Sequence, residues 1–222
     1  LPLLFEDPCA SRFLGVRVLP LLAAVPPVGP AIERSIDRKF PAGHRGNAVV
    51  RTRAIDDLVS AALADGAEQV VLLGAGFDSR AYRMPAMRRV TVFEVDQPAT
   101  QADKVERVNR HVPGDHRGHV RFVPVDLEQD GLEVALTEAG FRPARTVVVW
   151  EGMTNYLDAG SVDATIRWFA TSTTTGSRLV FTYLEEQQLH APVEGKGSDS
   201  PADAFRTVGE PMTFGLDPGK LA

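Results

Sequence analysis

The sequence is poor in cysteine, because Cys9 is the only one among 222 residues. No disulfide can form within the chain, so a reducing compartment, the cytoplasm, is the simplest expectation. Long apolar runs are also missing near the start, where acidic and basic side chains interrupt residues 1–24. This pattern is typical of neither a signal peptide nor a membrane span, and we expect no membrane partner.

An excess of positive charge is absent as well, since the formal net charge is -5. Proteins that bind nucleic acid through its phosphates normally carry a concentrated Lys/Arg surface, so no nucleic-acid partner is expected. Apolar residues make up 44% of the chain and charged residues 24%, which is ordinary for a globular protein. Composition therefore excludes several classes of protein but indicates no function.

Proline and glycine divide the chain into regions with different patterns. Prolines at positions 20, 26, 27, 30 and 41 interrupt residues 1–45, which predicts a helical cap without strands. Residues 46–222 are predicted to form one α/β domain. Within that domain, residues 185–208 are rich in Gly, Pro, Ser and Asp, and they predict a lid-like loop with a short helix at 202–206.

Short β-branched runs alternate with segments of helical periodicity from residue 49 onward. This alternation predicts a doubly wound, mostly parallel sheet with helices on both faces. A first helix is expected at 49–63, with Val50, Ile55, Leu58 and Val59 among its buried positions. The predicted strands are 69–73, 90–93, 120–124, 146–150 and 178–183, and the later helices are 78–82, 97–110, 131–139 and 161–171.

The first strand runs directly into Gly74-Ala75-Gly76 and then into a helix. Glycines at such a turn allow a ligand to approach the backbone closely. A dinucleotide-binding fingerprint would place a third glycine at position 79, where this sequence has Ser79, so pyrophosphate binding is disfavoured. A ligand other than a dinucleotide is therefore expected at the turn.

Acidic residues follow the later strands. Glu94 and Asp96 come about 20 residues after the glycine turn, where a ribose is often held, although a surface turn or helix cap before Pro98 is the alternative. Asp126 can accept a hydrogen bond from an adenine amino group, although an ordinary helix N-cap explains one Asp equally well. Glu151 follows the fourth strand. The carboxyl ends of parallel strands meet at one edge, so these residues are expected around one crevice.

Six motifs follow one another in order along the chain: RTRAID at 51–56, LGAGFDSRAYR at 73–83, FEVDQP at 93–98, VDL at 125–127, EGMTNYL at 151–157 and GEPMTFGL at 209–216. Together they resemble the leucine carboxyl methyltransferase-like group of class I S-adenosylmethionine-dependent methyltransferases, including its bacterial small-molecule O-methyltransferases. Members of that group usually continue past Gly215 into a further helix and a terminal pair of strands, so we expect either that the ends are missing from this sequence or that the sheet is shortened.

The resemblance implies S-adenosyl-L-methionine as the cofactor and assigns roles to particular residues. Arg51 would hold the methionyl carboxylate, although an ion pair with Asp56 or Asp57 is the alternative. Glu151 would hold the methionyl amine, and Tyr156 would form a wall of the methyl-transfer site. The other implied cofactor-binding residues are Gly74, Ala75, Gly76, Asp78, Glu94, Asp96 for the ribose, Gln97, Asp126 and Leu127 for the adenine, and Gly152.

The expected activity is O-methylation of a carboxylate or hydroxyl on a small molecule of secondary metabolism. A carboxylate is already ionised and needs no general base, whereas a hydroxyl would need one, for which His190 in the predicted lid is a candidate. His111, His116 and His119 indicate a solvated loop, and no metal is expected. The alternatives are a protein C-terminal carboxyl methyltransferase, an NAD(P)-dependent oxidoreductase, and an inactive cofactor-binding module.

Overall fold

Five strands form one sheet in the computed structural model, which describes residues 4–13, 31, 34, 44–189 and 212–220. Every pairing between neighbouring strands is parallel, and the order across the sheet is β3-β2-β1-β4-β5. All residues of β1 and β4 are buried, as expected for apolar strands covered on both faces. The strands are β1 (Gln69–Leu73), β2 (Thr91–Asp96), β3 (Val120–Pro124), β4 (Thr146–Trp150) and β5 (Arg178–Phe181).

The strand order reverses its direction between β1 and β4. Successive strands move outward from β1 through β2 to β3, and the chain then returns to place β4 on the other side of β1. Leu73 at the end of β1 is aligned with Val95 on β2 and Trp150 on β4. The doubly wound parallel fold expected from the sequence is confirmed, and ligands of such sheets bind at this reversal point.

Helices cover both faces of the sheet. The predicted helix at 78–82 starts only at Arg80, because Asp78 and Ser79 form the turn that precedes it. The other predicted helices differ from the observed ones by a few residues at their ends. The helices are α1 (Ala10–Phe13), α2 (His44–Ala64), α3 (Arg80–Arg83), α4 (Pro98–His111), α5 (Leu132–Glu138), α6 (Ala159–Ser172) and α7 (Glu186–Leu189), with 3-10 turns at Pro85–Arg89, Gly114–His116, Thr154–Tyr156 and Pro218–Lys220.

Two apolar clusters lie on opposite faces of the sheet. Val70 and Leu72 of β1 belong to one cluster, which also contains residues of α1, α2 and α4. Val71 and Leu73 belong to the other, which contains residues of α5 and α6. The alternation of side chains along a strand explains this division, and the structure is therefore three layers thick.

The buried face of α2 differs in part from the predicted one. Ile55 and Val59 are buried as predicted, whereas Val50 is 60% exposed and Leu58 is 46% exposed. The prediction was wrong for these two residues because the apolar positions of α2 span more than one face of the helix. Only the face centred on Val59 contacts the sheet.

Residues 212–220 lie beside the end of β5. The Leu216 N–H donates to the Leu184 carbonyl over 2.9 Å, and the Glu186 N–H donates to the Leu216 carbonyl over 3.1 Å. The helix predicted at 202–206, most of the predicted lid and most of the predicted cap lie outside the described residues. Within the described ranges, no helix combines the length and apolar character that crossing a bilayer would require.

Candidate ligand-binding site

A cavity of about 320 Å³ opens beyond the carboxyl ends of β1 and β4. Leu73 and Val149 line it on the strand side, and the residues that follow each strand form its rim. The chain leaves β1 and β4 in opposite directions at the reversal point, so their two loops separate and leave this space. Seven of the residues expected to bind cofactor line the cavity: Arg51, Gly74, Ala75, Gly76, Asp78, Glu151 and Gly152.

Two glycines shape the turn that leaves β1. Gly74 and Gly76 have φ angles of +63° and +40°, a region that other residues rarely adopt. A Cβ on Gly74 would overlap the side chain of Met153, whereas the nearest atom to a Cβ on Gly76 would be the Gly74 carbonyl oxygen at 3.9 Å. Gly74 therefore permits close packing with the loop after β4, and Gly76 leaves open space above the backbone.

Arg51 and Glu151 form an ion pair at the mouth of the cavity. Arg51 Nε lies 2.7 Å from Glu151 Oε1, and the two side chains are 41% and 18% exposed. The alternative of a pair within α2 is excluded for Arg51, because Asp57 pairs with Arg53 and Asp56 is held by arginines of α3. The pair presents a cation and an anion side by side to a ligand.

Arg80 connects α2, the turn after β1 and the loop after β4 through hydrogen bonds to three carboxylates. Its Nε donates to Asp56 over 2.7 Å, and its Nη1 donates over 2.7 Å to both Asp78 and Glu151. Burial by itself lowers the pKa of Arg80, but the charges of Asp78 and Glu151 outweigh burial and raise that pKa above its usual value. Sequence reasoning missed this residue, although an arginine directly after the glycine turn was a usable signal.

Arg83 and Ser79 connect the cavity to the segment 4–13. The two terminal nitrogens of Arg83 contact the Asp56 carboxylate over 2.7 and 2.9 Å, and its Nε donates to Ser79 Oγ over 3.1 Å. The Ser79 hydroxyl donates to Asp7 Oδ2 over 2.7 Å. Asp7 also accepts the N–H groups that begin α1. Sequence reasoning did not indicate a role for Asp7.

The cavity lining contains equal numbers of positively and negatively charged side chains. A site with equal numbers of cations and anions suits a zwitterionic group better than a polyanion, because each ligand charge finds an opposite partner. The lining contains the cations Arg51, Arg80 and Arg83 and the anions Asp7, Asp78 and Glu151.

Asp96 lies at the end of β2, next to the glycine turn. Its carboxylate accepts hydrogen bonds from the N–H groups of Gly76 and Gln97. Asp96 is therefore linked to the cavity through Gly76, although its own side chain is not part of the lining. Gln97 is exposed and precedes the first residue of α4.

Asp126 and Leu127 follow β3 and lie outside the cavity lining. Asp126 Oδ1 accepts the N–H of Glu128, and Oδ2 accepts the side-chain amide of Gln129, both over 3.0 Å. Leu127 is half-buried and packs against the cluster beneath α5 and α6. Asp126 thus closes a local turn and is not the N-cap of α5, which is Gly131, and a role in binding adenine stays a prediction.

Glu94 does not reach the cavity. It is fully buried, and its Oε2 lies 2.9 Å from Lys104 Nζ, which is also buried. Residues of a strand alternate in direction, so Glu94 shares a face with Asp96 but lies two residues deeper in the sheet. Its expected contact with a ligand hydroxyl is not compatible with this position.

Tyr156, one of the two predicted catalytic residues, is not among the residues that line the cavity. Tyr156 lies in the 3-10 turn after β4, where its N–H donates to the Met153 carbonyl over 3.0 Å. His190 lies outside the described residues. The loop histidines show no metal geometry, because no group of three or more His, Cys, Asp or Glu in the described ranges could hold an ion.

The cavity and the sheet together define an α/β protein that binds its ligand at the strand reversal, with a glycine turn and a paired Arg and Glu. The chain belongs to the leucine carboxyl methyltransferase family, whose model matches residues 2–170. The family membership expected from the motifs is therefore confirmed.

Relatives from Mycobacterium avium and Streptomyces avermitilis match most of this chain. A candidate S-adenosyl-L-methionine-dependent methyltransferase of Mycobacterium avium (strain 104) is 37% identical over 171 residues, or 76% of this chain and 50% of that protein. A second, from Streptomyces avermitilis, is 36% identical over 181 residues, or 81% of this chain and 61% of that protein. This chain thus spans only about half the length of the curated relatives it matches.

Solved structures resemble the chain more distantly. The glycopeptide N-methyltransferase MtfA in complex with S-adenosyl-L-methionine has a TM-score of 0.41 and 15% identity, with 59% of this chain and 54% of that chain covered. An O-methyltransferase family protein from Burkholderia thailandensis has a TM-score of 0.43 and 16% identity, with 90% and 66% covered.

Proposed function

We propose that this chain is an S-adenosyl-L-methionine-dependent methyltransferase that methylates an oxygen of a small-molecule acceptor. The observation that carries the proposal is the Arg51–Glu151 pair, 2.7 Å apart, beside the Gly74–Gly76 turn on one cavity. The methionyl end of the cofactor carries a carboxylate and an amine, which match a guanidinium and a carboxylate held side by side. The family to which the chain belongs supports the same assignment.

The residues of the cavity fit this cofactor. Arg51 contacts Glu151 through Nε, and a guanidinium has two further nitrogens that can donate to a ligand carboxylate. Glu151 is held by Arg80 through its other oxygen, so its carboxylate is oriented before an amine arrives. Gly76 leaves space above the turn, which suits close approach of a nucleoside.

The rest of the cofactor would extend from the cavity toward β2 and β3. Asp96 would hold the ribose, and Asp126 with Leu127 would contact the adenine. This extension is supported by the strand order, which places β2 and β3 in sequence beside β1. The hydrogen bond from Gly76 to Asp96 already connects the turn with the proposed ribose site.

When bound, S-adenosyl-L-methionine supplies a methyl group that leaves its sulfonium as the acceptor attacks. The chain contributes alignment and exclusion of water, and no nucleophilic side chain is needed. Tyr156 would form a wall of the transfer site. If the acceptor is a carboxylate, no proton has to be removed, whereas a hydroxyl acceptor would require a base such as His190.

We also propose that the chain resides in the cytoplasm. That compartment is reducing, and a chain with a single cysteine has no internal disulfide to maintain.

The cofactor assignment is tested by calorimetry with S-adenosylhomocysteine. We expect the parent chain to bind this ligand and not NAD, and Arg51→Gln to weaken binding about ten- to hundredfold, as for a lost hydrogen bond to a charged group. The matched control is Arg53→Gln, two residues along α2, whose side chain pairs with exposed Asp57. Equal affinity of parent and Arg51→Gln would exclude the proposed pocket.

The acceptor class is tested by incubating the chain with S-adenosyl-L-methionine and a metabolite extract, followed by mass spectrometry. A product that releases methanol in alkali is a carboxyl methyl ester, whereas an alkali-stable product is methylated on a hydroxyl or a nitrogen. A rate independent of pH around neutrality supports a carboxylate, since that acceptor is already ionised. Binding of S-adenosylhomocysteine without any methylated product would identify an inactive module.

A further inference from the structure

Glu94 and Lys104 form a close pair of ionisable side chains in the core beneath the glycine turn. Both side chains are fully or almost fully buried, and Lys104 Nζ lies 2.9 Å from Glu94 Oε2. Burying two charges costs free energy, and replacing such a pair by uncharged residues of similar size is often neutral or stabilising. The contribution of the pair to stability therefore does not by itself explain its presence.

Lys104 makes further contacts that an apolar residue could not make. Its Nζ donates to the Ala75 carbonyl over 3.3 Å, in the middle of the turn that borders the cavity. It also lies 5.8 Å from the centre of the Tyr82 ring, in the cation–π range. Lys104 therefore contacts the carboxylate, the carbonyl and the ring at once, and its contact with the carbonyl has the geometry of a hydrogen bond.

The glycine turn is held at three consecutive points. The Ala75 N–H donates to the Val95 carbonyl over 3.0 Å, and the Gly76 N–H donates to the Asp96 carboxylate. The Ala75 carbonyl accepts the Asp78 N–H over 2.7 Å and Lys104 Nζ over 3.3 Å. Among these partners of the turn, only Lys104 comes from a helix, and together with the Asp78 N–H it restricts the plane of the peptide bond between Ala75 and Gly76.

We propose that Lys104, held in place by the carboxylate of Glu94, is a positioning residue that fixes the Gly74–Gly76 turn for cofactor binding. This inference rests on the proposed function. Lys104 does not touch the cavity, and it acts through the Ala75 carbonyl. Loss of this contact would leave the Ala75 carbonyl held by the Asp78 N–H without the ammonium, so the Ala75–Gly76 peptide would be less firmly fixed and the Gly76 N–H would point less steadily at Asp96.

The test compares single and double variants of the pair by thermal unfolding and by calorimetry with S-adenosylhomocysteine. Lys104→Met alone leaves the Glu94 carboxylate buried without its cation and lowers the unfolding temperature. The double variant Lys104→Met/Glu94→Gln removes both charges, and we expect its unfolding temperature to return toward that of the parent. Its affinity for the ligand remains about tenfold weaker, because the Ala75 carbonyl still lacks its charged donor.

A purely structural pair would behave differently, because stability and affinity would then recover together in the double variant. That result overturns the proposal. The matched control is Glu106→Gln/Arg110→Gln, an exposed ion pair further along α4, which leaves the affinity unchanged. Weaker binding in the control would also count against a specific role for Lys104.

Hydrogen exchange provides a second test that needs neither the double variant nor ligand binding. In Glu94→Gln, a conservative change, the amides of residues 74–77 are expected to exchange faster than in the parent, while those of β4 are unchanged. Unchanged exchange in the turn overturns the proposal. If the parent binds no S-adenosylhomocysteine, the proposed function fails, but hydrogen exchange still decides whether Lys104 holds the turn.

Discussion

Two glycines that line the cavity, Gly74 and Gly152, differ in the space that a larger side chain would find. Gly74 has a positive φ angle, and a Cβ there would overlap Met153. Gly152 has a similar φ angle of +70°, but no atom lies within 4 Å of its Cβ position. The two glycines therefore separate the effect of backbone conformation from the effect of close packing.

We expect Gly74→Ala to destabilise the chain more than Gly152→Ala. A left-handed backbone costs an alanine roughly 1–2 kcal/mol at either site, and only Gly74→Ala also displaces Met153. Urea unfolding of both variants measures the difference in the free energy of unfolding. Equal losses at the two sites would show that Met153 moves aside without cost.

Arg80 is the residue on which the charge arrangement of the cavity depends. It is 3% exposed and contacts three carboxylates. We expect Arg80→Met to lower the free energy of unfolding by about 3–5 kcal/mol, because removal of one partner leaves buried charges uncompensated. Arg142→Met, which breaks an exposed pair with Glu68, is the control and should change stability little when both are measured in urea.

At the scale of elements, the residue directly before β3 is a histidine, His119, whose ionisation is linked to folding. Burial, with the nearby charges of Arg88 and Arg121, lowers the pKa of His119, and its hydrogen bond to the Ala81 carbonyl opposes this only in part. A pKa that is lower in the folded than in the unfolded chain favours folding above the unfolded value of about 6.5. That contribution is lost as the pH falls through the folded value.

We therefore expect the stability of the parent to fall relative to that of His119→Gln as the pH is lowered. The parent loses stability between about pH 8 and about pH 5 as His119 takes up a proton in the unfolded chain, and the variant lacks this term. Urea unfolding at the two pH values measures the gap between the two proteins. A gap that stays constant over this range would contradict the linkage.

The elements themselves were largely predictable from local patterns. The limits of β1, β3 and β4 agree with the predicted ones because each is a short apolar or β-branched run bounded by turn residues. Predictions were poorer for α2, because Val50 and Leu58 have helical spacing but no neighbouring element to cover them among the described residues. Spacing indicates a helix, but the packing partner determines which of its faces is buried.

At the scale of the whole molecule, the two apolar clusters share the strands that separate them. Alternate residues of β1 belong to opposite clusters, so neither face can unfold without exposing the strand that the other needs. Leu136 of α5 and Met87 of the turn Pro85–Arg89 are fully buried, one in each cluster. Both side chains are large, so replacing either one by alanine should change the free energy of unfolding by a measurable amount.

We expect Met87→Ala and Leu136→Ala each to lower the free energy of unfolding by about 2–5 kcal/mol, as for other large-to-small core substitutions. Tryptophan fluorescence and far-ultraviolet circular dichroism should report the same urea midpoint in each variant, since the faces unfold together. Val134→Ala, on the exposed surface of α5, is the control and should leave the midpoint unchanged. Separate midpoints for the two probes would show that the faces unfold independently.

The sequence by itself determined the strand and helix pattern, the glycine turn and the membership of a methyltransferase family, because these depend on residues close together in the chain. Only the tertiary structure decided which charged side chains pair with each other. Arg51 and Glu151 are 100 residues apart and meet because β4 lies beside β1. Glu94 lies in the core beside Lys104 because the pleat of β2 places it two residues below Asp96. Strand order and pleat are properties of the assembled sheet, and no local pattern contains them.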